Sequence, residues 1–570
     1  MKLIIKEYLA SLKERNELDA LLPDLLSQMG LQILSAPSIG NRQYGVDISA
    51  FGSIEDGPQK IYLFSIKSGH LGRQDWDSGN SQDLRPSLNE IRDVYIPTHI
   101  PVEFKNFPIE ICLTFGGDLK QELELNIAQY EQLNSTDTIS FTRWGGDRIA
   151  GYLEKYLFNE QLFLNEEVKS LLRKSLALVD QPEVSFANFK SLLSFIFTGL
   201  ELKDVQEHLT SLRQCYLALG ILNSWCKGEN NLESAFLSSE RLILLSWTIF
   251  KLHATSKNQN SKKIKNIFNS ILMLYFSINQ NYLDKILKHC DKLHALSAAV
   301  HPNSDVDVNL KLFDILGKTA LFGLWSNWFY SRLYTYKHEE VFQEKALEQY
   351  QELSKSIKQL ILNNPILFQP YKDEQAIEIS LAILFLLENE QNDKDINSWL
   401  TDMTHIIYES FRSNRRYPST LNEYLSLIQH PSSSSETYRK SVTKGSILYP
   451  LLAFFSYYFQ NTESLNILKS IVKEYISECT MQIWNPDEYS EEHFYKNTDI
   501  HGTALTGISF EELDTAFKQI KSECKENQKI NDLSAIKYEF SPLILTACRH
   551  YRLPVPFHYF LSMLSIPLDN

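Results

Sequence analysis

At 570 residues the chain is too long for one hydrophobic core and reads as three or four units, or as one domain joined to a long helical array. Apolar residues make up 43% and charged residues 22%, which excludes global disorder, while only 21 glycines and 19 prolines exclude collagen-like, linker-rich and mostly β chains. The net charge of −14 argues against a surface coated in basic groups and leaves room only for a local basic groove.

Leu18, Leu21, Leu22, Leu25, Leu26 and Met29 recur at helical spacing and stop at Gly30, which predicts a helix with its C-terminal stop signal. Short segments at 31–34 and 44–51 follow, separated by a turn-rich stretch at 35–42. After the turn residues Glu55, Asp56, Gly57 and Pro58 comes KIYLFSIK at 60–67, a central strand. Residues 70–85 are polar and glycine-containing, a loop, and 86–95 form a short helix with Pro86 in its first turn. PIEICLTF at 108–115 is a strand closed by Gly116 and Gly117. Residues 119–133 are helical, 138–144 a strand, and Asp147 caps a helix to about 157. Residues 1–160 thus form an α/β domain.

Beyond 160 the periodicity is almost entirely helical, with apolar stretches at 186–200, 203–226, 236–253, 264–278, 281–300, 307–332, 338–364, 373–389, 396–413, 445–460, 462–484 and 509–526. No fixed repeat period emerges, so residues 161–570 form a large all-α domain, a helical array or irregular bundle, with candidate divisions near 301–306 and 430–436. No apolar run reaches the roughly 20 residues a membrane span needs, and the N-terminus has no secretion signal. Seven scattered cysteines without a CxxC pair point to buried thiols in a reducing compartment, and the expected location is cytoplasmic.

Chemistry concentrates in the first domain. Asp47 sits in YGVDI at 44–48, and FSIKSG follows at 64–69. Ser65 and Lys67 are two apart on one strand, so both emerge on one face. If the Asp47 strand pairs with it as a hairpin, a carboxylate, a hydroxyl and an ammonium converge. A carboxylate is a hard ligand for Mg²⁺, and a lysine beside it can orient water or stabilise developing charge. An ordinary ion pair between adjacent strands is the bland alternative.

These residues and the order of elements resemble the PD-(D/E)xK, or restriction-endonuclease-like, nucleases, and the Mrr-like branch in particular. The likeness covers residues 10–157 and implies a mixed sheet flanked by helices with Mg²⁺ or Mn²⁺ as cofactor. It places Asp47, Ser65, Lys67 and Glu90 at the catalytic centre. The family's first-helix acid falls on Glu17 or Asp19, so the implied metal ligands are Asp47, Glu90 and Glu17 or Asp19. The chain departs from the family at Ser65, where a carboxylate usually stands. Glu90, on the following helix, is the favoured substitute, ahead of Asp75, Asp77 and Asp83 in the loop.

The loop offers His70, Arg73, Trp76 and Arg85 as nucleic-acid contacts, with the basic groups on phosphates and Trp76 either stacking on a base or packing beneath the loop. Elsewhere, Gly317-Lys318-Thr319 resembles the end of a phosphate-binding loop but lacks its first glycine and lies in a helical stretch. His289, Cys290 and His294 read as structural residues rather than metal ligands. The pair Arg552 and His558 has a spacing seen in helical ribonucleases, but Pro554 and Pro556 break the helix that chemistry needs. Residues 484–502 read as a long connection or a partner patch.

A nuclease-like domain fused to a long helical region resembles bacterial anti-phage defence effectors. The implied activity is metal-dependent hydrolysis of nucleic acid, with double-stranded DNA favoured. The helical domain then serves sensing, homo-oligomerisation or binding of a protein partner. The alternative is a catalytically inactive nuclease fold used as an interaction scaffold.

Overall fold

The computed structural model describes residues 2–35, 43–80, 82–158, 166–300, 304–335, 340–388, 392–498, 501–510, 512 and 514–566. The chain divides into two compact units, residues 1–238 with 262–270, and residues 239–261 with 271–570. The expected boundary at 160 falls inside the first unit, in the undescribed segment 159–165.

The first unit opens with α1 (Lys2–Ser11), which buries Ile5, Tyr8 and Leu9 at helical spacing. A π-helical turn at Glu14–Leu18 leads into α2 (Asp19–Gln28). Pro23 sits inside α2 and cannot donate to the carbonyl of Asp19, a disruption that accompanies the irregular turn before it. Leu21, Leu22, Leu25 and Leu26 are buried, and Gly30 closes the helix at φ +88° while the Leu31 amide returns to the Leu26 carbonyl.

Strands β1 (Gln32–Ser35), β2 (Ile48–Gly52) and β3 (Lys60–Lys67) form an antiparallel meander, and β4 (Ile109–Phe115) and β5 (Ile139–Trp144) add in parallel. The result is a mixed five-stranded sheet in the order β1-β2-β3-β4-β5. β3 is buried from Ile61 to Ile66 because helices cover both faces of the sheet. On one face Leu63, Leu113 and Ile111 pack with Leu84 and Leu88 of α3 (Leu84–Glu90). A π turn and the short α4 (Ile96–His99) continue α3, and Leu123 and Ile127 of α5 (Gln121–Asn134) complete this core. On the other face Phe64 meets Trp144 edge-on at 5.0 Å, and Trp144 meets Tyr152 of α6 (Gly146–Leu153). The same unit carries α7 (Glu166–Ala177), α8 (Pro182–Phe197) and α9 (Val205–Gly228), the last capped by the Asp204 carboxylate on the Gln206 and Glu207 amides.

The second unit is mainly helical, with long elements at Asp305–Thr335, Glu340–Asn363 and Asp393–Arg412. Two expectations change in the helical region. The stretches at 264–278 and 281–300 are one helix, Gln259–Leu287, followed by the short Ala295–Ala299. The stretch at 462–484 is a helix only to Glu474. Thr480–Asn485 is a strand (β7) between β6 (Gly445–Ser446) and β8 (Thr503–Thr506), because its apolar residues Met481 and Ile483 alternate. Part of the 484–502 connection is therefore the link between two paired strands. The Gly317-Lys318-Thr319 segment lies within Asp305–Thr335, with the buried Lys318 ammonium 2.7 Å from Asp314. All seven cysteines are free, and among the described residues no helix is long and apolar enough to cross a membrane.

Candidate active site

Asp47 precedes β2, and its position follows from the turn before it. Tyr44 and Gly45 both adopt positive φ, 49° and 78°, and the Val46 amide closes the turn on the Gln43 carbonyl at 3.1 Å. Gly45 lies against α3 so tightly that a Cβ there would stand 2.3 Å from the Ser87 carbonyl oxygen. Only glycine meets both demands. The Asp47 amide then donates to the Phe64 carbonyl at 2.9 Å, and continuing the Ile48↔Phe64 register sets Asp47 opposite Ser65.

The Asp47 carboxylate accepts the Ile66 amide at 2.7 Å, which ties it to the residue before Lys67. Burial raises this carboxyl, the Ile66 amide and the Lys67 charge pull it back, Glu14 and Asp19 push it up again, and the balance leaves it at about 6. The acids acting on Asp47 most strongly therefore come from the π turn and the start of α2. Lys67 stands 3.9 Å from the Glu14 carboxylate, with both side chains mostly withdrawn from solvent.

Of the two first-helix acids expected, Asp19 acts on the Asp47 charge, whereas Glu17 turns back to accept the Lys13 amide at 2.7 Å. Glu14 was not foreseen. It lies one turn ahead of the leucine pattern that drew attention to Glu17 and Asp19, and an acid near the start of that helical segment is the only signal for it. Ser65 is 1% exposed, and its hydroxyl has no hydrogen-bond partner among the described residues. Glu90 ends α3, half-buried, one turn beyond the Ser87 that Gly45 touches, and it is not among the main groups acting on Asp47.

The loop after β3 is stitched to the loop after β4. The Gly117 amide donates to the Gly69 carbonyl at 2.8 Å, the Asp118 amide to His70 Nδ1 at 3.0 Å, and the Leu71 amide to the Asp118 carbonyl at 3.0 Å. His70 thus ties the two loops together. Trp76 is buried at 8% exposure and meets Tyr130 edge-on at 5.7 Å, so its ring packs beneath the loop and is not offered to a base. Arg73 is exposed, and Arg85 is exposed and paired with Asp77 at 2.8 Å. Asp75 accepts the Gly72 amide, and Asp83 accepts the Ser78 and Asn80 amides, so these loop acids shape the loop itself.

The donor chemistry around Asp47 suits a hard divalent cation. Burial raises the Asp47 carboxyl first, and the charges of Glu14 and Asp19 add to that rise, so these three carboxylates are the ones in electrostatic reach of one another there. As they stand, no group of three or more His, Cys, Asp or Glu among the described residues is gathered to hold a metal ion. No protein-family model matches the chain, and no curated protein or solved structure matches it either.

Proposed function

We propose that the chain is a metal-dependent endonuclease that hydrolyses phosphodiester bonds of nucleic acid, with double-stranded DNA favoured, and that its α/β region has the restriction-endonuclease-like fold. The observation that carries this reading is the meeting of Asp47 and Lys67 at adjacent strand ends beneath the acids of the π turn. The mixed five-stranded sheet with helices on both faces is consistent with it.

Asp47 and Asp19, with Glu14 beside them, would hold Mg²⁺ or Mn²⁺; the bound ion would polarise the phosphate and acidify a water. The chain's own groups do the rest. Asp47 is kept in place by the Ile66 amide, so its second oxygen stays free to face the ion. Lys67 orients the attacking water and stabilises charge as it develops on the phosphate oxygens. Glu14 holds the ammonium at the strand end until substrate phosphate competes for it. The helical region supports the further proposal that a bound trigger raises cutting above the basal rate of the purified chain, as in regulated anti-phage defence effectors.

Ser65 supports a second reading. A buried hydroxyl stands where a carboxylate would complete the ligand set, which favours a nuclease fold retained for binding alone. Incubating plasmid DNA and a structured RNA with the purified chain and Mg²⁺ or Mn²⁺, with EDTA as control, separates the two. Metal-dependent cleavage supports the enzyme; intact nucleic acid with every metal supports the scaffold.

A further inference from the structure

Helix α9 packs on α1 and reaches α2 through Arg213, although more than 150 residues separate them in sequence. At one end of the contact, Ser224 Oγ is 3.0 Å from Ser11 Oγ, and Gly220 passes so close to Tyr8 that a Cβ would stand 2.6 Å from its hydroxyl. At the other end Arg213 donates to Asp24 Oδ1 at 2.9 Å and to Gln28 Oε1 at 3.0 Å. Residues 213, 216, 220 and 224 recur at three- and four-residue spacing, so they share one face of α9. Between these contacts the N-terminal segment makes its π turn, and between them on α9 stands Tyr216.

We propose that Tyr216 is a positioning residue for the candidate site: from α9 it braces the acidic turn at 14–19 whose Glu14 and Asp19 face Lys67 and Asp47. The site is then built from both sides of residue 160. The charges around the phenol agree with this placement. Burial first, then Asp24, Glu17 and Asp19, push the Tyr216 hydroxyl up to about 12, so it is a neutral phenol among carboxylates at physiological pH. Tyr8 is buried, and its hydroxyl is raised by burial and then by Tyr216 and Glu17. A turn of π geometry has weak internal hydrogen bonding and depends on outside packing to hold one shape. Its displacement would move Glu14 off Lys67 and Asp19 off Asp47 together.

The catalytic meaning of this role rests on the endonuclease reading, whereas the bracing itself does not. Full-length Tyr216→Ala and Tyr216→Phe proteins test both, with Tyr216→Leu as the bulk-preserving substitute if the alanine protein fails to fold. Amide hydrogen exchange across 12–20 should quicken in Tyr216→Ala and stay as wild type in Tyr216→Phe, which keeps the ring. In the plasmid assay Tyr216→Ala should need about tenfold more Mg²⁺ for half-maximal cleavage, the usual cost of losing a group that orients a ligand, and its pH profile should shift. Tyr216→Phe should restore both. A folded Tyr216→Ala protein that exchanges as wild type across 12–20 overturns the proposal. Lack of cleavage by the wild-type chain would instead count against the endonuclease reading, and the exchange data would still decide the role of Tyr216.

Discussion

Lys67 and Glu14 face one another at 3.9 Å across the open end of β3, and that pairing joins the sheet to the N-terminal acidic turn. With Asp47 tied to the Ile66 amide, three groups from three separate elements are held within reach of one another. An isolated strand-to-strand ion pair would need no third acid, so the roles of the acids are open to test.

On the endonuclease reading, Glu14 and Glu90 are the rival acids to supply the carboxylate that Ser65 does not. Glu14→Gln should lower Mg²⁺-dependent cleavage by about tenfold or more, because it removes both a ligand and the partner of Lys67. Glu90→Gln should leave the rate unchanged. Initial rates of plasmid nicking across a Mg²⁺ titration check this, and the reverse order would restore Glu90 as the substituting acid.

Asp47 also makes stability depend on pH. Its native carboxyl titrates near 6, against an ordinary value of 3.8, so the folded chain holds the proton more tightly than the unfolded one. The stabilisation is fully present below pH ~4 and is lost as pH rises through about 6, when the buried carboxylate must ionise. Asp47→Asn should therefore unfold in more urea than wild type at pH 8, by about 1–3 kcal/mol after allowing for partial exposure. At pH 4 the two should match. Urea midpoints at both pH values give the answer.

Gly45 is held by two independent constraints, a φ of +78° and contact with the Ser87 carbonyl. Gly45→Ala should cost about 2–4 kcal/mol through strain and displacement of α3, and it should impair cleavage by shifting Asp47. Thermal melting and nicking rates, measured together, would show both losses.

Much of the α/β pattern was legible in the chain. The leucines ending at Gly30, the KIYLFSIK strand and the PIEICLTF strand are long, regular runs whose period and punctuation reflect burial directly. The hairpin that sets Asp47 beside Lys67 follows from the same alternation. Glu14 was not legible, because a π turn takes side chains off the 3.6-residue period on which the reading of residues 18–29 depends. Trp76 is equally suited by its chemistry to a core or a base stack, and only the neighbouring Tyr130 decides between them. The bracing of the turn by α9 spans most of the first unit in sequence, and no local pattern records it. β7 reads as helix in the sequence because the short alternation of Met481 and Ile483 is too brief to outweigh the long helical run before it.

The second unit carries its own test. Glu240 is fully buried, with Arg549 Nε donating to it at 2.9 Å and His550 at 3.1 Å, and Arg549 reaches Asp314 at 3.1 Å. Burial works against the Glu240 charge, but Arg549 and His550 outweigh it and hold the carboxyl below its usual range. Arg549→Met should destabilise the chain by about 3–5 kcal/mol, because it strands a buried carboxylate. Adding Glu240→Gln should recover much of that loss, and chemical denaturation of the single and double variants would reveal whether it does.

On the proposed function, Asp47 and Lys67 together form the hydrolytic centre. The most direct measurement is Mg²⁺-dependent plasmid nicking by wild type, Asp47→Asn and Lys67→Ala proteins with matched melting curves. Wild type should nick the plasmid, EDTA should abolish the nicking, and both variants should lose it. Nicking that survives in either variant, or a wild-type chain that leaves DNA intact with every metal, would contradict it.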